Sequence, residues 1–512
     1  MSGTLDYFRG EPLEVGTTPQ FLFDDHAVED VWSLKRVSQI AAKFPGNPVM
    51  VPDQLGEFYC YESHVVREDR GSSGGGRFRM WYQDSDSQAH HRGAPEPGSA
   101  EGHGDFCRYA ESEDGVHWVK PRLGLLHRHG TDRNNIVLAG VGECDRSAVV
   151  LNPDPGDRER RFIMGYLDQP RGTSGVCLAY SADGIHWREE PSNPVIQGHY
   201  DCVNTPVWDP VAGHWLCYTR PTVHAFGYVR PERGWTDVDW ERGEGRHHRR
   251  HVSVAVSRDL VSWGKVRTVF YPDELDPEWP DIDHFRPFFH NGLFLANASY
   301  VDPSGGRFGQ LRFMWSRDGF RWQQAPDRAW FIPRGPEGHF DDGWILGASA
   351  PVMVGHQMWF YYGGQPLQMQ IAVDRGSAVG LAKLPRDRFV SLKAEGEPGF
   401  LLTREVRIAG NELRLNCATG QRFRSPTGMA ALGDIRVELV ESLPAREAVV
   451  GGRPVPGFTM ADCDPIRTNR IDHRVTWNGK WDLGELRGRA LHLRFRLTES
   501  ELFTFAFGDA AE

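Results

Sequence analysis

The stretch that decides the fold is Tyr180-Ser181-Ala182-Asp183-Gly184-Ile185-His186-Trp187, because related stretches recur along the chain. In each of the four clear copies an apolar run ends in Ser-x-Asp-Gly or a close variant, and a tryptophan follows three positions later. Gly and Asp tolerate the positive φ of a tight turn, so the pattern predicts a β-hairpin. The other copies are residues 109–118, 256–263, 315–322 and a weaker one at 380–389.

The copies are spaced by roughly 60 to 76 residues, and such self-similarity is typical of a repeat fold. One hairpin per repeat of short strands indicates the blades of a β-propeller, and five copies predict five blades. The short segment Phe21-Leu22-Phe23 is placed to close the ring by joining the last blade, which would remove an exposed sheet edge.

The repeat is lost near residue 392, and beyond it apolar and polar residues alternate along several segments, as in an antiparallel sandwich. The sequence therefore predicts an all-β chain, a five-bladed β-propeller followed by a C-terminal β-sandwich. The expected boundaries are a lead-in over 1–20, a catalytic propeller domain over 21–392 and a β-sandwich domain over 393–512.

The charge, hydropathy and cysteine content of the chain restrict the kinds of partner and the compartment that we expect. The net charge is −11, from 58 basic and 69 acidic residues, which disfavours nucleic acid as the main partner. No apolar stretch approaches the roughly 18 residues of a membrane span, and the N-terminus lacks the pattern of a secretory signal. The eight cysteines are scattered without CxxC pairs, which favours a reducing cytoplasm. Association into a homo-oligomer stays open.

Acidic residues recur at the start of the first strand of each repeat, the strand that faces the axis of a small propeller. Carboxylates gathered on one axis would repel one another unless some are protonated, a cation is bound or a polyhydroxylated ligand is held. Any single Asp of this kind could instead cap neighbouring N–H groups. The residues are Glu62, Asp145, Asp201, the pair Asp281 and Asp283, and the pair Asp341 and Asp342.

At these residues the chain resembles the five-bladed propeller glycosidases, the group that holds invertases, fructanases, arabinanases and xylosidases. The hairpin phrase, the pair Asn47-Pro48 and the C-terminal sandwich carry the resemblance, over about residues 20–507. It implies that acids from the first three blades carry catalysis, with Asp145 as the transition-state stabiliser, since Cys144-Asp145-Arg146-Ser147-Ala148-Val149 is similar to the family's Arg-Asp-Pro-x-Val strand. Asp201 stands where the family has an acid Glu, and Glu62 where it has an Asp.

The expected chemistry is cleavage of a glycosidic bond by paired carboxylates, one donating a proton and the other attacking or activating water. The expected catalytic residues are Glu62, Asp145 and Asp201, and the ligand is a carbohydrate or glycoside. No metal-site motif occurs; if the axial channel holds a metal, carboxylate oxygens suit a hard cation such as calcium. The residues expected to bind substrate are Asp283, Asp342, His64, His284, Arg286, Tyr61 and Trp344.

Two alternatives remain open from the residues. The propeller could bind carbohydrate without catalysis. It could also act by phosphorolysis, with Arg220, Arg286 or His284 holding phosphate, or tailor another metabolite.

Overall fold

The computed structural model describes residues 11–509 except for several internal stretches. Asp201, in the third expected first strand, lies outside the described residues. The chain divides into two compact units. The larger unit comprises Ile40–Gln324 and Trp330–Lys383; the smaller comprises the residues up to Gln39, Ala325–Ala329 and those from Leu384 onward. The stretches left out are residues 55, 70–75, 86–98, 102–103, 143, 199, 201–203, 225–236, 239–244, 247, 277–280, 303–307, 367–376, 420–432 and 442–451.

The chain begins with short strands, most of which belong to the smaller unit. They are β1 (Leu13–Val15), β2 (Gln20–Phe21), β3 (Val28–Trp32), β4 (Lys35–Ser38) and β5 (Ala42–Lys43).

The first two groups of strands in the larger unit are antiparallel and follow the chain order. Group one contains β6 (Tyr61–Asp69), β7 (Gly76–Ser85), β8 (Asp105–Ser112) and β9 (Ile136–Leu138). Group two contains β10 (Asp145–Leu151), β11 (Phe162–Asp168), β12 (Gly175–Ser181), β13 (Arg188–Glu189) and β14 (Ile196–Gln197).

Group three is built from four strands, with two small ribbons between its second and third. In chain order these elements are β15 (Thr205–Asp209), β16 (His214–Thr219), β17 (Thr222–His224), β18 (Asp237–Val238), β19 (Gly245–Arg246), β20 (His248–Arg250), β21 (Val252–Ser257) and β22 (Arg267–Phe270). The ribbons pair β17 with β20 and β18 with β19.

Groups four and five complete the larger unit and are joined through one bridge between β25 and β27. Group four contains β23 (Asp281–His290), β24 (Leu293–Asp302), β25 (Phe308–Ser316) and β26 (Gln323–Gln324). Group five contains β27 (Trp344–Leu346), β28 (Val352–Val354), β29 (Gln357–Gln365) and β30 (Ala378–Pro385).

The repeated turns are built alike, as the sequence predicts. In the turn after β12, the Asp183 carboxylate accepts the backbone N–H groups of Ile185 and His186, at 2.9 and 2.8 Å, while Ser181 Oγ accepts the N–H of Gly184 at 2.8 Å. Gly184 has a φ of 73°, in the left-handed region that favours glycine. The same contacts recur at the turns that follow β8, β21 and β25.

The first strands of consecutive groups adjoin one another: β6 lies beside β10, β10 beside β15, and β15 beside β23, while β28 and β29 of group five contact β6. The strand that completes group five comes from the N-terminal part of the chain, since β5 pairs with β30 through Ala42 and Lys43. The prediction that Phe21–Phe23 closes the ring is therefore wrong. Phe21 pairs with Thr504 in the smaller unit instead.

The smaller unit contains two sheets around one apolar core. Both sheets contribute inward-facing side chains, such as Leu401 and Phe495 from one and Leu415 and Phe505 from the other. Its remaining strands are β31 (Val390–Ala394), β32 (Gly399–Thr403), β33 (Val406–Ile408), β34 (Glu412–Thr419), β35 (Asp434–Glu441), β36 (Arg453–Pro454), β37 (Asn469–Arg474), β38 (Ala490–Thr498) and β39 (Ser500–Gly508).

The expected all-β class is confirmed. In the part of the chain that the structure describes, the helical elements are two 3₁₀ turns, Pro170–Gly172 and Gly484–Leu486. Neither of these short turns, nor any other described element, is a helix that could span a bilayer.

Candidate active site

The site is positioned by an irregularity that three first strands share. The pairing register shifts between Tyr61 and His64 in β6, between Asp145 and Ala148 in β10, and between Ile282 and His284 in β23. A β-bulge leaves an extra residue unpaired and re-aims side chains, and bulges are common next to active sites. All three shifts occur near the N-terminal end of their strands.

Two of the bulges hold a charged residue in the left-handed backbone region. The φ of Glu62 is 49° and that of Arg146 is 55°. This conformation costs an ordinary residue roughly 1–2 kcal/mol, so the surrounding structure must over-determine it. The two strained residues contact each other, since Arg146 Nη1 donates to Glu62 Oε1 at 2.7 Å.

Glu62 is fully buried and surrounded by cationic groups. Besides Arg146, His284 Nε2 lies 2.5 Å from Glu62 Oε1, and Arg286 Nη2 lies 3.8 Å from Glu62 Oε2. Burial alone would raise the pKa of Glu62, but the charges of Arg146, His284 and Arg286 outweigh it and hold that pKa well below its usual value. Glu62 is therefore an ionised carboxylate at neutral pH.

Asp145 lies beside Glu62 because both contact one guanidinium group. Arg146 Nε is 3.2 Å from Asp145 Oδ1, and the Asp145 side chain is only 14% exposed. The two carboxyl groups therefore share one guanidinium group while standing on the neighbouring strands β6 and β10. The guanidinium also lies over the ring of Tyr61, 5.9 Å from its centroid.

His284 connects Glu62 to a second buried carboxylate. Its Nδ1 lies 2.7 Å from Asp283 Oδ2. Two further guanidinium groups contact Asp283 Oδ1, that of Arg250 at 2.9 Å and that of Arg220 at 3.2 Å. Burial opposes ionisation of Asp283, but His284, Arg220 and Arg250 hold its pKa well below the usual value.

Asp281 differs from its neighbours. Burial raises its pKa from 3.8 to about 6, although the Arg250 charge and the Arg250 N–H, which donates at 3.2 Å, act in the opposite direction. The charge of Asp283 raises the pKa further. Asp281 can therefore carry a proton in mildly acidic solution while Glu62 and Asp283 remain ionised. A pair of carboxyl groups with separated pKa values is the usual arrangement of a proton donor and an anionic partner.

His64 and Arg286 extend this set of residues into the protein. Arg286 Nη1 contacts His64 Nε2 and both side chains are buried. Burial, together with the Arg286 charge, lowers the pKa of His64 well below its usual value, so the ring is neutral and Nε2 accepts. We call the whole set the Glu62 cluster: Glu62, His64, Asp145, Arg146, Arg220, Arg250, Asp281, Asp283, His284 and Arg286.

The cluster corrects the expectation of mutually repelling acids. It contains four carboxyl groups, and each has a guanidinium partner within 4.0 Å. Ion pairing therefore replaces repulsion, and a bound cation is not needed to hold the acids together. In the described part of the chain, no group of three or more His, Cys, Asp or Glu side chains is arranged to hold a metal ion.

The expected residues of the fifth group have structural partners. Asp341 Oδ2 accepts from Lys43 Nζ at 2.5 Å and from the Tyr362 hydroxyl at 2.8 Å. The Asp342 carboxylate accepts the N–H of Gly338 at 2.7 Å. Trp344 packs on Gly309, where a Cβ would lie 2.1 Å from the indole ring. The contacts of Asp341 and Asp342 order the loop that leads into β27.

Sequence reasoning missed the roles of Arg146 and Arg250 and the raised pKa of Asp281. Arg146 directly follows a predicted catalytic residue, but only the bulge turns its side chain towards Glu62. Arg250 belongs to the basic run 246–251, and a run of like charges by itself indicates only a solvated turn. No signal in the sequence pairs Arg250 with Asp281 and Asp283, because their contact depends on which strands are adjacent.

No known family model and no curated protein matches the chain. Among solved structures, the chain is similar to an N-acetylgalactosamine deacetylase from F. plautii in complex with blood group B trisaccharide (17% identity, 70% of this chain and 97% of that chain, TM-score 0.43). It is also similar to a β-1,2-mannobiose phosphorylase from Listeria innocua (11% identity, 67% and 96%, TM-score 0.44) and to a glycosyl hydrolase from Bacteroides ovatus (14% identity, 69% and 95%, TM-score 0.41). All three TM-scores lie below 0.5, so we conclude nothing from them about this chain.

Proposed function

We propose that the chain is a carbohydrate-active enzyme that hydrolyses a glycosidic bond at the Glu62 cluster. The observation that carries the proposal is the pair Glu62 and Arg146, two charged residues held in strained backbone conformations inside bulges and joined by a 2.7 Å contact. Strained residues of this kind are held by the surrounding structure and cluster at active sites. We also propose that the five strand groups are the blades of one propeller and that the smaller unit is a β-sandwich.

The proposed roles follow from protonation. Glu62 and Asp145 supply the negative charge that an oxocarbenium-like transition state needs, one as nucleophile or base and the other as stabiliser. Asp281 is the proposed proton donor, because its pKa of about 6 lets it carry a proton near neutrality. Asp201, the proton donor that the family resemblance implies, lies outside the described residues and keeps that role as the alternative.

The test is hydrolysis of aryl glycosides of several sugars by the wild type, Glu62→Gln, Asp145→Asn, Asp281→Asn and Asp201→Asn. Loss of the proton donor should lower kcat by about a hundredfold or more, least for a leaving group that needs no protonation. If Asp281 is the donor, kcat/KM of the wild type falls above pH about 6 and Asp281→Asn lacks that limb. Wild-type-like kcat in Glu62→Gln and Asp145→Asn would contradict the proposal.

Phosphorolysis is the second candidate, because four guanidinium groups belong to the Glu62 cluster. The Arg146 and Arg250 side chains are 26% and 20% exposed, so two of the four remain accessible. An arginine can hold phosphate through paired N–H groups. Turnover that requires added inorganic phosphate and yields a sugar phosphate would favour this candidate over hydrolysis.

A further inference from the structure

A small cavity lies beside the Glu62 cluster in the larger unit. Its volume is about 10 Å³, and its lining residues include Thr219, Arg220, His251 and Asp283 as well as the apolar Val252 and Phe285. About 10–15 Å³ is the space that one water molecule requires. The cavity can therefore take one water or one hydroxyl group, whereas a phosphate with four oxygens is too large.

One side of the cavity is more accessible than the rest. Among its lining residues His251 is half-buried, while the others are buried. The ring of Tyr271 stands next to His251, with 5.7 Å between the two ring centroids. Tyr271 is 60% exposed, so one large flat surface remains open to solvent beside the accessible side of the cavity.

We propose that Tyr271, His251 and the cavity form a sugar-binding subsite. The Tyr271 ring stacks on a face of the sugar, and one hydroxyl of that sugar enters the cavity, where Arg220 donates to it and Asp283 accepts from it. An apolar ring face together with a few convergent polar groups is the usual composition of a sugar or small-ligand site. The inference rests on the proposed carbohydrate function and adds the place and the chemistry of recognition.

The size of the cavity defines the ligand. The hydroxyl must be unsubstituted, because a methyl ether or a phosphate ester at that position exceeds the space for one water. Asp283 is already paired with two guanidinium groups, so a neutral hydroxyl fits where a second anion would have to displace an ion pair. The ligand is therefore a neutral sugar residue with a free hydroxyl.

The experiment measures binding, so that it does not depend on turnover. Saturation-transfer NMR and calorimetry are run on the whole chain with gluco-, galacto- and manno-configured monosaccharides and disaccharides as probes. The variants are Tyr271→Ala, Tyr271→Leu and Tyr271→Phe. Trp32→Ala serves as the matched control, because Trp32 is an exposed aromatic residue of the smaller unit with 72% of its surface accessible.

For the sugar that binds the wild type, Tyr271→Ala and Tyr271→Leu should weaken binding about tenfold, as expected for the loss of one stacked ring. Tyr271→Phe and Trp32→Ala should stay within twofold of the wild type. The O-methyl ether of one hydroxyl of that sugar should fail to bind, while ethers at other positions retain binding. Unchanged melting temperatures confirm that the exposed substitutions leave the fold intact.

Two results would overturn the subsite: wild-type affinity in both Tyr271→Ala and Tyr271→Leu, or an equal loss in Trp32→Ala. Tyr271-dependent binding without cleavage of any bound disaccharide would reject the hydrolase and keep the subsite. Binding to no sugar at all would reject both.

Discussion

Replacing Glu62 by glutamine tests whether the cluster is held together by charge. Glutamine keeps the shape of the side chain and removes its charge, so Arg146, His284 and Arg286 lose their common anion. The contacts at 2.7 and 2.5 Å are charge-assisted hydrogen bonds, each contributing about 1.5–3 kcal/mol. Breaking a buried ion pair costs about 3–5 kcal/mol, and glutamine retains some hydrogen bonding. We expect the free energy of unfolding to fall by about 3 kcal/mol.

The matched control is Glu68→Gln, the same change on the same strand. Glu68 also pairs with arginines, at 2.8 Å from Arg161 and 3.4 Å from Arg79, but its side chain is 24% exposed. Solvent screening reduces such a pair to about 0–1 kcal/mol. Urea unfolding followed by tryptophan fluorescence measures both variants, and the two units are expected to give separate transitions.

The pH dependence gives a second criterion. The pKa of Glu62 is depressed in the folded state, so ionised Glu62 stabilises the fold above pH 4.5, the pKa of a glutamate in the unfolded chain. That stabilisation is lost as the pH falls below 4.5. The difference between the wild type and Glu62→Gln should therefore be full at pH 7 and shrink in acid. Equal losses in Glu62→Gln and Glu68→Gln at pH 7, or a difference that grows in acid, would refute the charge-based explanation.

Three further changes test other parts of the structure. Gly309→Ala should destabilise the larger unit by about 1–3 kcal/mol in the same urea assay, because the new Cβ would lie 2.1 Å from the Trp344 ring; a neutral effect would mean that this ring moves freely. Arg388→Met should lower the free energy of unfolding of the smaller unit by about 3 kcal/mol, since the buried guanidinium donates to Asn416 Oδ1 at 2.8 Å and to two other acceptors. A loss of stability confined to the larger unit's transition would contradict this. Burial raises the pKa of Asp281 to about 6, so wild-type stability should fall relative to Asp281→Asn as the pH rises from about 4 to 6; parallel melting curves across that range would show an ordinary carboxyl group.

The part of the fold that local chemistry encodes could be predicted from the sequence. The Ser-x-Asp-Gly turns need only residues within three positions of one another, and the contacts of Ser181, Asp183 and Gly184 follow directly. Strand pairing across long separations could not be predicted. Phe21 is apolar enough for either unit, and only the register with Thr504 shows which sheet it joins.

Six of the residues singled out from the sequence lie together in the Glu62 cluster: Glu62, His64, Asp145, Asp283, His284 and Arg286. Alternation along a strand marks which residues share a face, but a bulge breaks that alternation, and no residue pattern indicates that Glu62 adopts a φ of 49°. Ion pairing was missed because it depends on which strands are adjacent. Arg250 reaches Asp283 from a ribbon whose position only the structure gives.

The pairing of β5 with β30 has a consequence for synthesis on the ribosome. Lys43 cannot pair until Ala382, about 340 residues later in the chain, has been synthesised. At roughly 5–20 residues per second this takes tens of seconds. The delay is longer for Leu13, which pairs with Val406, and longest for Phe21, which pairs with Thr504. During translation these early segments have no sheet to join, so each unit can complete its fold only after its late strands emerge. A ribosome stalled before β30 should therefore carry a nascent chain whose residues 11–43 remain sensitive to protease, and release of the full chain should protect them.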